Sequence, residues 1–363
     1  MVTSDPATSQ PLVSVIVPAR NEEASLGACL ESLVAQHGVA FEIIVVDDGS
    51  TDRTREIAQS FPRVRVTDAG SLPQGWTGKN NAMATGTREA QGEWLLFTDA
   101  DTVHRPGSLA RALAEAKKHG AALLSYSPEQ EVHGFWQKAV MPVIFAELAS
   151  TYKPSQVSNP ASPAAAANGQ YLLISREAYA AVGGHAGVAN SLLEDVALAR
   201  AVKASGRRIF FRYGGDAVRT RMYRNFAQLR EGWTKNLALL FPSAGSLAIM
   251  RLTEFVLIVG SAAIAIIAAI DSRPKAAAGM GFLAAALMSL LFGRIRKAHF
   301  SWGPNILSLI GLPLFSDLLL RSRLSYKKGS VSWKGRTYAP PQSGPKSQAR
   351  LCMAWKSRLS GQG

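Results

Sequence analysis

The sequence predicts an α/β domain with a mostly parallel sheet flanked by helices, followed by apolar helices towards the carboxyl end. Two observations predict the sheet: apolar strands alternate with amphipathic helices from Val13 onward, and acidic residues follow directly on two of those strands. A change of composition near Leu252, where long apolar stretches begin, predicts the second part. We therefore expect two folding units, which a chain of 363 residues can supply.

Strands and helices follow one another at short intervals in the first part. The apolar run 13–17 predicts a strand that stops at Pro18. Three leucines at helical spacing then mark one face of a helix: Leu26, Leu30 and Leu33. Further strands are expected at 41–46, 64–67 and 169–175, and helices at 51–61 and 106–119. Such alternation implies right-handed crossovers and a sheet whose ligands bind at the carboxyl ends of its strands.

Carboxylates stand at two of these strand ends. Asp99 and Asp101 follow one apolar run, and Asp47 and Asp48 follow another. Residues i and i+2 of an extended chain point to the same side, so Asp99 and Asp101 can face one hard cation, Mg²⁺ or Mn²⁺, beside a diphosphate. A lone Asp-x-Asp also arises by chance. The second acidic strand end therefore matters, because the two together predict a nucleotide site.

Two further motifs carry charges that a nucleotide-sugar reaction needs. Lys79 is expected in a glycine-containing loop before a helix, where it could contact the diphosphate or be merely solvated. Glu194 and Asp195 precede a helical pattern, a position that the helix dipole alone favours for acids. With a sugar donor bound nearby, a carboxylate must take the proton of the attacking hydroxyl. We assign that role to Asp195, with Glu194 beside it.

Apolar stretches near the carboxyl end predict membrane segments. Residues 252–270 and 276–293 form a helical hairpin by this prediction, each near the minimum length that crosses a bilayer. A hairpin buried in a water-soluble protein is the alternative. The stretch 302–320 contains Pro313 and Asp317, so we expect a re-entrant or interfacial helical pair broken near Pro313 rather than a simple span.

The distribution of charge and the composition of both ends of the sequence predict where the protein lies in the cell. The formal net charge of +14 is uneven, since residues 321–363 hold ten Lys or Arg and no Asp or Glu. Because this tail follows apolar segments, anionic lipid is favoured over nucleic acid as its partner. We expect a multi-pass protein of the cell inner membrane, with the tail and the α/β domain cytoplasmic. Residues 1–11 are expected to be disordered and lack the apolar stretch of a secretory signal.

Cysteine usage excludes two site classes. The chain has only Cys29 and Cys352, which are far apart and have no metal-ligand spacing. Neither a disulfide framework nor a zinc site is therefore implied.

The segments 13–23, 47–52, 99–101 and 194–195, in this order and spacing, resemble the family 2 inverting glycosyltransferases with the GT-A fold. The resemblance covers residues 12–240. It implies a role for each matching residue: Pro18, Arg20 and Glu22 line the nucleotide pocket, Asp47 or Asp48 contacts the base, Asp99 and Asp101 form the metal site, and Asp195 is the catalytic base.

One motif departs from the processive members of that family, which carry Gln-x-x-Arg-Trp. Here Gln228-Leu229-Arg230-Glu231-Gly232-Trp233 has two additional residues between arginine and tryptophan. The departure argues against polysaccharide synthesis, although Arg230 and Trp233 could still hold the diphosphate and the acceptor. Alternatively, residues 221–240 form an amphipathic helix at the membrane surface, because cations interleave there with apolar side chains.

Three motifs resemble a subgroup that is associated with carotenoid and hopanoid glycosylation: Gly-Trp-x-Gly-Lys ending at Lys79, the Gly-Gly-His loop ending at His185, and Trp333-Lys334-Gly335-Arg336-x-Tyr338. This resemblance implies a lipid acceptor. His185 is either an acceptor contact or a group that orders its loop.

These patterns together predict an enzyme that moves a sugar, most simply glucose from UDP-glucose, to a hydroxyl of a membrane lipid such as a carotenoid or hopanoid, with inversion. Polyprenyl phosphate is the alternative acceptor. A non-catalytic nucleotide- or nucleic-acid-binding membrane protein is the alternative from a different class. We expect no nucleic acid ligand, because stacking aromatics along a basic strand are missing, and the sequence implies no protein partner.

Overall fold

The computed structural model describes residues 11–329, 331–333 and 336–338. These residues form two compact units. The first comprises 11–133, 145–224 and 297–300, and the second comprises 134–144, 225–296 and the described residues from 301 onward. Residues 1–10 of the predicted disordered segment 1–11 and the tail beyond 338 lie outside the described residues, as do Lys334 and Gly335.

Strands and helices alternate through the first unit. The strands are β1 (Val13–Ala19), β2 (Phe41–Asp47), β3 (Val64–Asp68), β4 (Trp94–Phe97), β5 (Thr102–His104), β6 (Leu123–Ser127), β7 (Glu129–Gln130), β8 (Leu172–Ser175), β9 (Ile209–Tyr213) and β10 (Val218–Thr220). The helices up to residue 204 are α1 (Leu26–Val34), α2 (Thr54–Gln59), α3 (Gly78–Glu89), α4 (Ser108–Lys118), α5 (Phe135–Thr151), α6 (Pro154–Val157), α7 (Arg176–Ala181) and α8 (Glu194–Ala204), of which α5 begins in the second unit.

Seven strands form the main sheet, in the order β3-β2-β1-β4-β8-β6-β9. The pairs β3–β2, β2–β1, β1–β4 and β6–β9 are parallel, whereas β8 runs antiparallel to both of its neighbours. The predicted, mostly parallel α/β sheet is therefore confirmed. A second sheet has the order β5-β10-β7.

The sheet is buried on both faces because its strands are almost wholly apolar. In β1, Val15 and Val17 join one core cluster and Ile16 joins the other, as the alternation of a strand requires. Helix α3 lies on the Ile16 side, where Gly86 allows close approach: a Cβ on Gly86 would lie 2.6 Å from Ile16 Cγ2 and 2.9 Å from Val46 Cγ2. This close packing fixes the position of α3 and of the residues in its first turn.

The parallel register brings the acidic strand ends to one edge of the sheet. Ala19 of β1 pairs with Asp47 of β2, and Ile16 pairs with Phe97 of β4. Beyond these pairs, the Thr98 N–H donates to Ile16 O at 3.2 Å. The loops that follow β1, β2 and β4 therefore start side by side.

Four helices and a short hairpin make up most of the second unit: α9 (Phe226–Leu240), α10 (Ala244–Ile270), α11 (Pro274–Ile295), α12 (Trp302–Lys328), β11 (Val331–Trp333) and β12 (Arg336–Tyr338). By length and composition, α10, α11 with the helical turn after it, and α12 are each long and apolar enough to cross a membrane. The predicted hairpin thus appears as α10 and α11, with α10 beginning eight residues before the expected start.

The expected break near Pro313 is wrong, because α12 continues through this residue for 27 residues. Proline removes one backbone hydrogen bond and would ordinarily bend a helix. Here Leu312 and Phe315, on either side of it, are fully buried. The packing of these two side chains keeps the residues before and after Pro313 in one continuous helix.

An ion-pair cluster joins α10 to α11. Glu254 accepts from Arg251 at 2.6 Å and from Arg294 at 2.8 Å, and all three side chains are largely buried. Acidic and basic groups at such depth need partners, since an unpaired charge is costly away from water. The cluster therefore sets the register between the two helices.

The amphipathic helix predicted at 221–240 appears as α9, and its contact with a membrane stays a prediction. It begins at Phe226, and its apolar residues Leu229, Trp233 and Leu237 are buried inside the second unit. Helix α12 covers part of α9, where Ser322 Oγ accepts from the Ala238 N–H at 2.8 Å. The apolar face of α9 therefore packs against protein.

Gly86→Ala should destabilise the protein by about 1–3 kcal/mol, because the added methyl group overpacks the contact between α3 and β1. Thermal unfolding in detergent measures this effect. Gly27→Ala is the matched helical control, since its Cβ would meet only Ile57 Cγ2 at 3.9 Å. An unfolding midpoint for Gly86→Ala equal to that of the control would show that α3 does not need this glycine.

Candidate active site

The loops after β1 and β2 are bonded to each other and form one wall of the site. Asn21, which has a left-handed backbone (φ 53°), accepts at Oδ1 from the Thr51 N–H at 2.8 Å. The Glu22 N–H donates to Thr54 Oγ1 at 2.7 Å, and Arg20 Nη1 donates to Asp48 O at 2.6 Å. Arg20 and Glu22 are partly exposed, as is Pro18. All three predicted pocket residues therefore present surface along this wall.

Asp47 and Asp48 are both nearly buried, at 4% and 7% exposure. Asp47 Oδ1 accepts from the Ser50 N–H at 3.1 Å, and its Oδ2 lies 3.5 Å from Arg55 Nη1. Asp47 thus orders the loop after β2. The contact of either residue with a nucleotide base stays a prediction.

Strand β4 ends at Phe97, so Asp99 and Asp101 lie in the turn after it and not on an extended backbone as predicted, and both are partly exposed. Burial raises the pKa of the Cys29 thiol, and the charges of Asp101, Asp99 and Glu22 raise it further. Cys29 Sγ lies 3.8 Å from Asp99 O, so the turn after β4 packs beside α1, which follows the β1 loop. The Thr102 hydroxyl lies 3.4 Å from Asp101 Oδ1.

Lys79 lies in the first turn of α3, one residue after the helix begins, and not in a loop as predicted. Thr77 caps this helix, because its Oγ1 accepts from the Asn80 N–H at 3.2 Å. The helix therefore begins at Gly78, although the glycines in this segment predicted a loop. Lys79 Nζ lies 2.7 Å from Asp99 Oδ1 and 2.8 Å from Glu194 Oε1. One ammonium thus joins the end of β4 to the start of α8.

Burial would lower the pKa of Lys79, but Asp99, Glu194 and Asp195 raise it well above its usual value. The side chain is therefore a fixed positive charge at every physiological pH. A diphosphate brought to this place would meet a charged, partly exposed ammonium.

Glu194 and Asp195 occupy the first turn of α8, as their sequence pattern predicts. Asp195 Oδ2 accepts from the Gly169 N–H at 2.8 Å, and its Oδ1 accepts from the Val196 N–H at 2.8 Å. Burial raises the pKa of Asp195 to about 6, and Glu194 contributes, while Lys79 and the two N–H donors oppose the rise. A carboxyl group with this pKa is ionised at pH 7 and basic enough to accept a proton.

Gly169 completes the cluster, and sequence patterns did not predict it. A Cβ on this residue would lie 3.1 Å from Lys79 Nζ, 3.3 Å from Glu194 Oε1 and 3.5 Å from Asp195 Oδ2. Asn80 was also missed: its Nδ2 donates to Val188 O and Ala189 O, both at 2.9 Å, and so holds the segment before α8 against α3. The contact of Gly169 with Asp195 joins residues 26 positions apart, and that of Asn80 with Ala189 joins residues 109 positions apart. Local sequence patterns do not reach that far.

His185 is buried at 2% exposure, and its Nδ1 shares a hydrogen bond of 2.9 Å with the Tyr179 hydroxyl. Its ring also packs edge-on against Phe97, with ring centroids 4.6 Å apart. Burial lowers the pKa of His185 to about 4, so the ring is neutral. These contacts fit the loop-ordering alternative, and they leave almost no surface for an acceptor.

Arg230 and Trp233 belong to the second unit. Trp233 is 2% exposed and its Nε1 donates to Met141 Sδ at 3.3 Å, so this indole is a packing group. Arg230 is exposed on α9. Their roles in holding the diphosphate and the acceptor stay predictions, and the burial of Trp233 leaves it little surface for either.

Residues 14–183 match the family model described as glycosyl transferase family 2. Over this range, the chain is similar to the family 2 glycosyltransferase domain. Over 344 residues it is 28% identical to 4,4'-diaponeurosporenoate glycosyltransferase of Staphylococcus aureus (strain USA300), an alignment that covers 90% of this chain and 88% of that protein. The same enzyme from strain MRSA252 is also 28% identical over 344 residues, with the same coverage.

A solved structure is similar over most of the chain. The mannosyltransferase PcManGT from Pyrobaculum calidifontis, in complex with GDP-Man and Mn²⁺, has a TM-score of 0.52 and 19% sequence identity, and the match covers 88% of this chain and 87% of that one. The likeness supports the GT-A fold. The domain and the named relatives together identify an enzyme, a glycosyltransferase, which leaves the non-catalytic alternative without support.

Gly169→Ala should lower glycosyl transfer while leaving the unfolding midpoint nearly unchanged. The new methyl group meets the flexible end of Lys79 at 3.1 Å, so the ammonium shifts and the backbone does not have to. Transfer rate and thermal unfolding are measured on the same preparation. Gly134→Ala, whose Cβ would have no neighbour within 3.8 Å, is the control. Equal rates in both variants would remove Gly169 from the site.

Proposed function

We propose that this enzyme transfers a sugar, with inversion, from a nucleotide-diphospho-sugar to a hydroxyl group of a membrane lipid. The observation that carries the proposal is the pair of contacts from Lys79 to Asp99 and Glu194. They join an Asp-x-Asp strand end, suited to a donor, with an acidic helix start, suited to a base. A hexose is the sugar and UDP-glucose is the donor to test first.

A divalent cation fits the residues of this site. Mg²⁺ and Mn²⁺ prefer hard oxygen ligands, and in nucleotide sites they take one or two carboxylates while phosphates and water complete the shell. Asp99 and Asp101 supply two carboxylates. No cluster of three or more His, Cys, Asp or Glu suited to a metal occurs among the residues that the structure describes, which agrees with a metal that shares its ligands with substrate. The cation would neutralise charge on the departing diphosphate.

Lys79 and Asp195 perform the remaining steps. The ammonium of Lys79 binds the diphosphate and stabilises the negative charge that grows on it as the bond to the anomeric carbon breaks. On the opposite face of the sugar, the lipid hydroxyl forms the new bond to that carbon and gives its proton to Asp195. The N–H groups of Gly169 and Val196 hold the carboxylate in place. Attack from the face opposite the leaving group inverts the configuration.

A lipid acceptor is supported by the second unit. In the most apolar 18-residue stretches of α10 and α11, only 17% and 6% of the stretch is buried. These helices therefore expose apolar side chains on nearly every face. Water would make this costly, whereas a bilayer would not. The Staphylococcus aureus relative is named for a carotenoid acid acceptor, diaponeurosporenoate. We propose a carotenoid or hopanoid hydroxyl as the acceptor here.

We propose the hairpin of α10 and α11 as the membrane-spanning part. Helix α12 has the length and mean hydropathy of a span, but its exposed ion pair of Asp317 and Arg321 at 2.6 Å interrupts the apolar run after residue 316. At about 1.5 Å per residue the run 302–316 is shorter than a hydrocarbon core of about 30 Å. Two spans leave the catalytic domain and the basic tail on the same side, which we take as the cytoplasmic side of the inner membrane.

Membranes that contain the protein should transfer label from one nucleotide sugar, among a panel, to extractable lipid. Chelation should abolish the transfer and Mn²⁺ or Mg²⁺ should restore it. Asp101→Ala should fall to the chelated level, because it removes a ligand of the cation. Asp216→Ala, an exposed acidic residue that pairs with Arg212 at 2.6 Å, is the matched control. Absence of transfer from every donor, in folded protein, would contradict the proposed function.

Asp195→Asn should lower the rate of transfer to a lipid alcohol by about 10²- to 10⁴-fold, the usual contribution of a general base. In the unchanged enzyme, kcat/KM should fall as pH drops below about 6, because protonated Asp195 cannot accept a proton. Polyprenyl phosphate, already ionised, needs no base. Polyprenyl phosphate would therefore be favoured as the acceptor if Asp195→Asn kept a near-normal rate and kcat/KM of the unchanged enzyme did not decrease below about pH 6.

A further inference from the structure

Exposed apolar side chains are not spread evenly over the molecule. Of the large apolar side chains exposed in the described part of the chain, all but Leu72 belong to the second unit. Most of them lie on α10, α11 and α12. Three aromatic residues do not: Phe135, Trp136 and Phe226 are 49%, 44% and 38% exposed.

These three rings form one patch, here called the aromatic patch. Phe135 and Trp136 lie edge to face with ring centroids 5.1 Å apart, and Trp136 and Phe226 lie 5.8 Å apart. The residues come from the beginnings of α5 and α9, which are far apart in sequence. The three rings thus form one contiguous exposed surface, and aromatic side chains of this kind are enriched at membrane–water interfaces.

The position of the aromatic patch along the chain is also specific. The chain passes between the two units five times, and two of these passages lie between His133 and Gly134 and between Arg224 and Asn225. Each aromatic residue lies within the first three residues after one of these two passages. The aromatic patch therefore lies at two of the five places where the chain enters or leaves the second unit.

Basic groups follow both aromatic segments along their helices, and the nearest acids along the chain are Glu131, which pairs with Arg219 at 3.0 Å, and Glu231. Lys138 follows Phe135 by three residues and Arg230 follows Phe226 by four, so each cation shares a helix face with an aromatic ring. Residues 134–144 and 225–230 contain no Asp or Glu. Aromatic rings beside Lys and Arg are typical of surfaces that sit among anionic lipid headgroups.

The area of the aromatic patch argues against a protein partner. Aromatic side chains offer about 150–250 Å² each, so the exposed parts of three amount to roughly 250 Å². A standard protein interface needs about 800 Å² from each partner. A bilayer has no such minimum, because each inserted ring contributes independently.

We propose that the aromatic patch is a second membrane-contact surface, which inserts into the headgroup region of a bilayer that contains anionic lipid. It acts separately from the apolar faces of α10 and α11. This inference rests on the proposed membrane location of the second unit. At the bilayer surface, the aromatic patch anchors two of the five segments that connect the units.

Depth-resolved fluorescence tests this surface in the full chain. A polarity-sensitive probe is attached to Trp136→Cys in a Cys352→Ala background, where the remaining Cys29 is buried. The protein is reconstituted into vesicles of equal parts phosphatidylcholine and phosphatidylglycerol, with quenchers at headgroup or acyl depth. Leu72→Cys is the aqueous control, and Phe282→Cys on α11, 78% exposed, is the deep control.

The probe at 136 should be quenched several-fold more by the headgroup quencher than by the acyl quencher, and Phe226→Cys should behave alike. A probe at 136 that matches position 72, with position 282 quenched, overturns the aromatic patch but not the membrane location. Failure of quenching at 282 overturns both. In a further outcome, the probe at 136 is shielded from both quenchers, to a degree that increases with the protein-to-lipid ratio. That result indicates contact between copies of the protein, and it would also overturn the proposal.

A second variant separates anchoring from folding. Phe135→Ser combined with Phe226→Ser should lower transfer to lipid in vesicles several-fold, but not transfer to the same lipid dispersed in detergent. Loss in both conditions, or in neither, would contradict a role at the bilayer surface.

Discussion

The double ion pair of Lys79 is the contact on which the site depends. Asp99, Glu194 and Asp195 come from two segments of the chain, and three carboxylates brought together would repel one another. The ammonium between them offsets that repulsion, with contacts of 2.7 Å to Asp99 and 2.8 Å to Glu194. Gly169, without a side chain, leaves the room that the cluster needs. Replacing any one of these residues changes the charge balance seen by the others.

The fold explains why these groups meet. Parallel pairing of β1 with β2 and β4 starts three loops at one edge of the sheet, and the close contact at Gly86 fixes α3, whose first turn carries Lys79. The Asn80 side chain then ties α3 to the segment that leads into α8. In the proposed function, the same charged cluster binds the donor on one side and supports the base on the other.

The sequence predicted what local patterns encode and missed what distant contacts decide. The strands, the acidic strand ends and the acidic start of α8 follow from apolar runs and helix-dipole preferences, and the structure has them. Lys79 was placed in a loop because glycine precedes it, whereas Thr77 caps a helix that already contains it. Gly169 gave no signal, since its neighbours are distant in sequence.

The second unit shows the same limit. A proline inside α12 predicted a break, yet buried neighbours on both sides keep the helix continuous. Cations among apolar residues predicted an amphipathic α9, and the structure buries its Leu229, Trp233 and Leu237 while Phe226 stays exposed. Amphipathic spacing shows that a face is covered and does not say by what. Glu254 lies in an apolar stretch, where its charge is balanced by Arg294 at 2.8 Å, a contact that the sequence pattern does not predict.

The most direct test of the central claim is the structure of this protein bound to UDP and Mn²⁺. The account predicts that Lys79 Nζ lies within hydrogen-bond distance of a diphosphate oxygen, with the cation held by the carboxylates of the Asp99 turn and with Asp195 facing the space beside them. A nucleotide bound away from Lys79, or a cation held without Asp99 and Asp101, would contradict it.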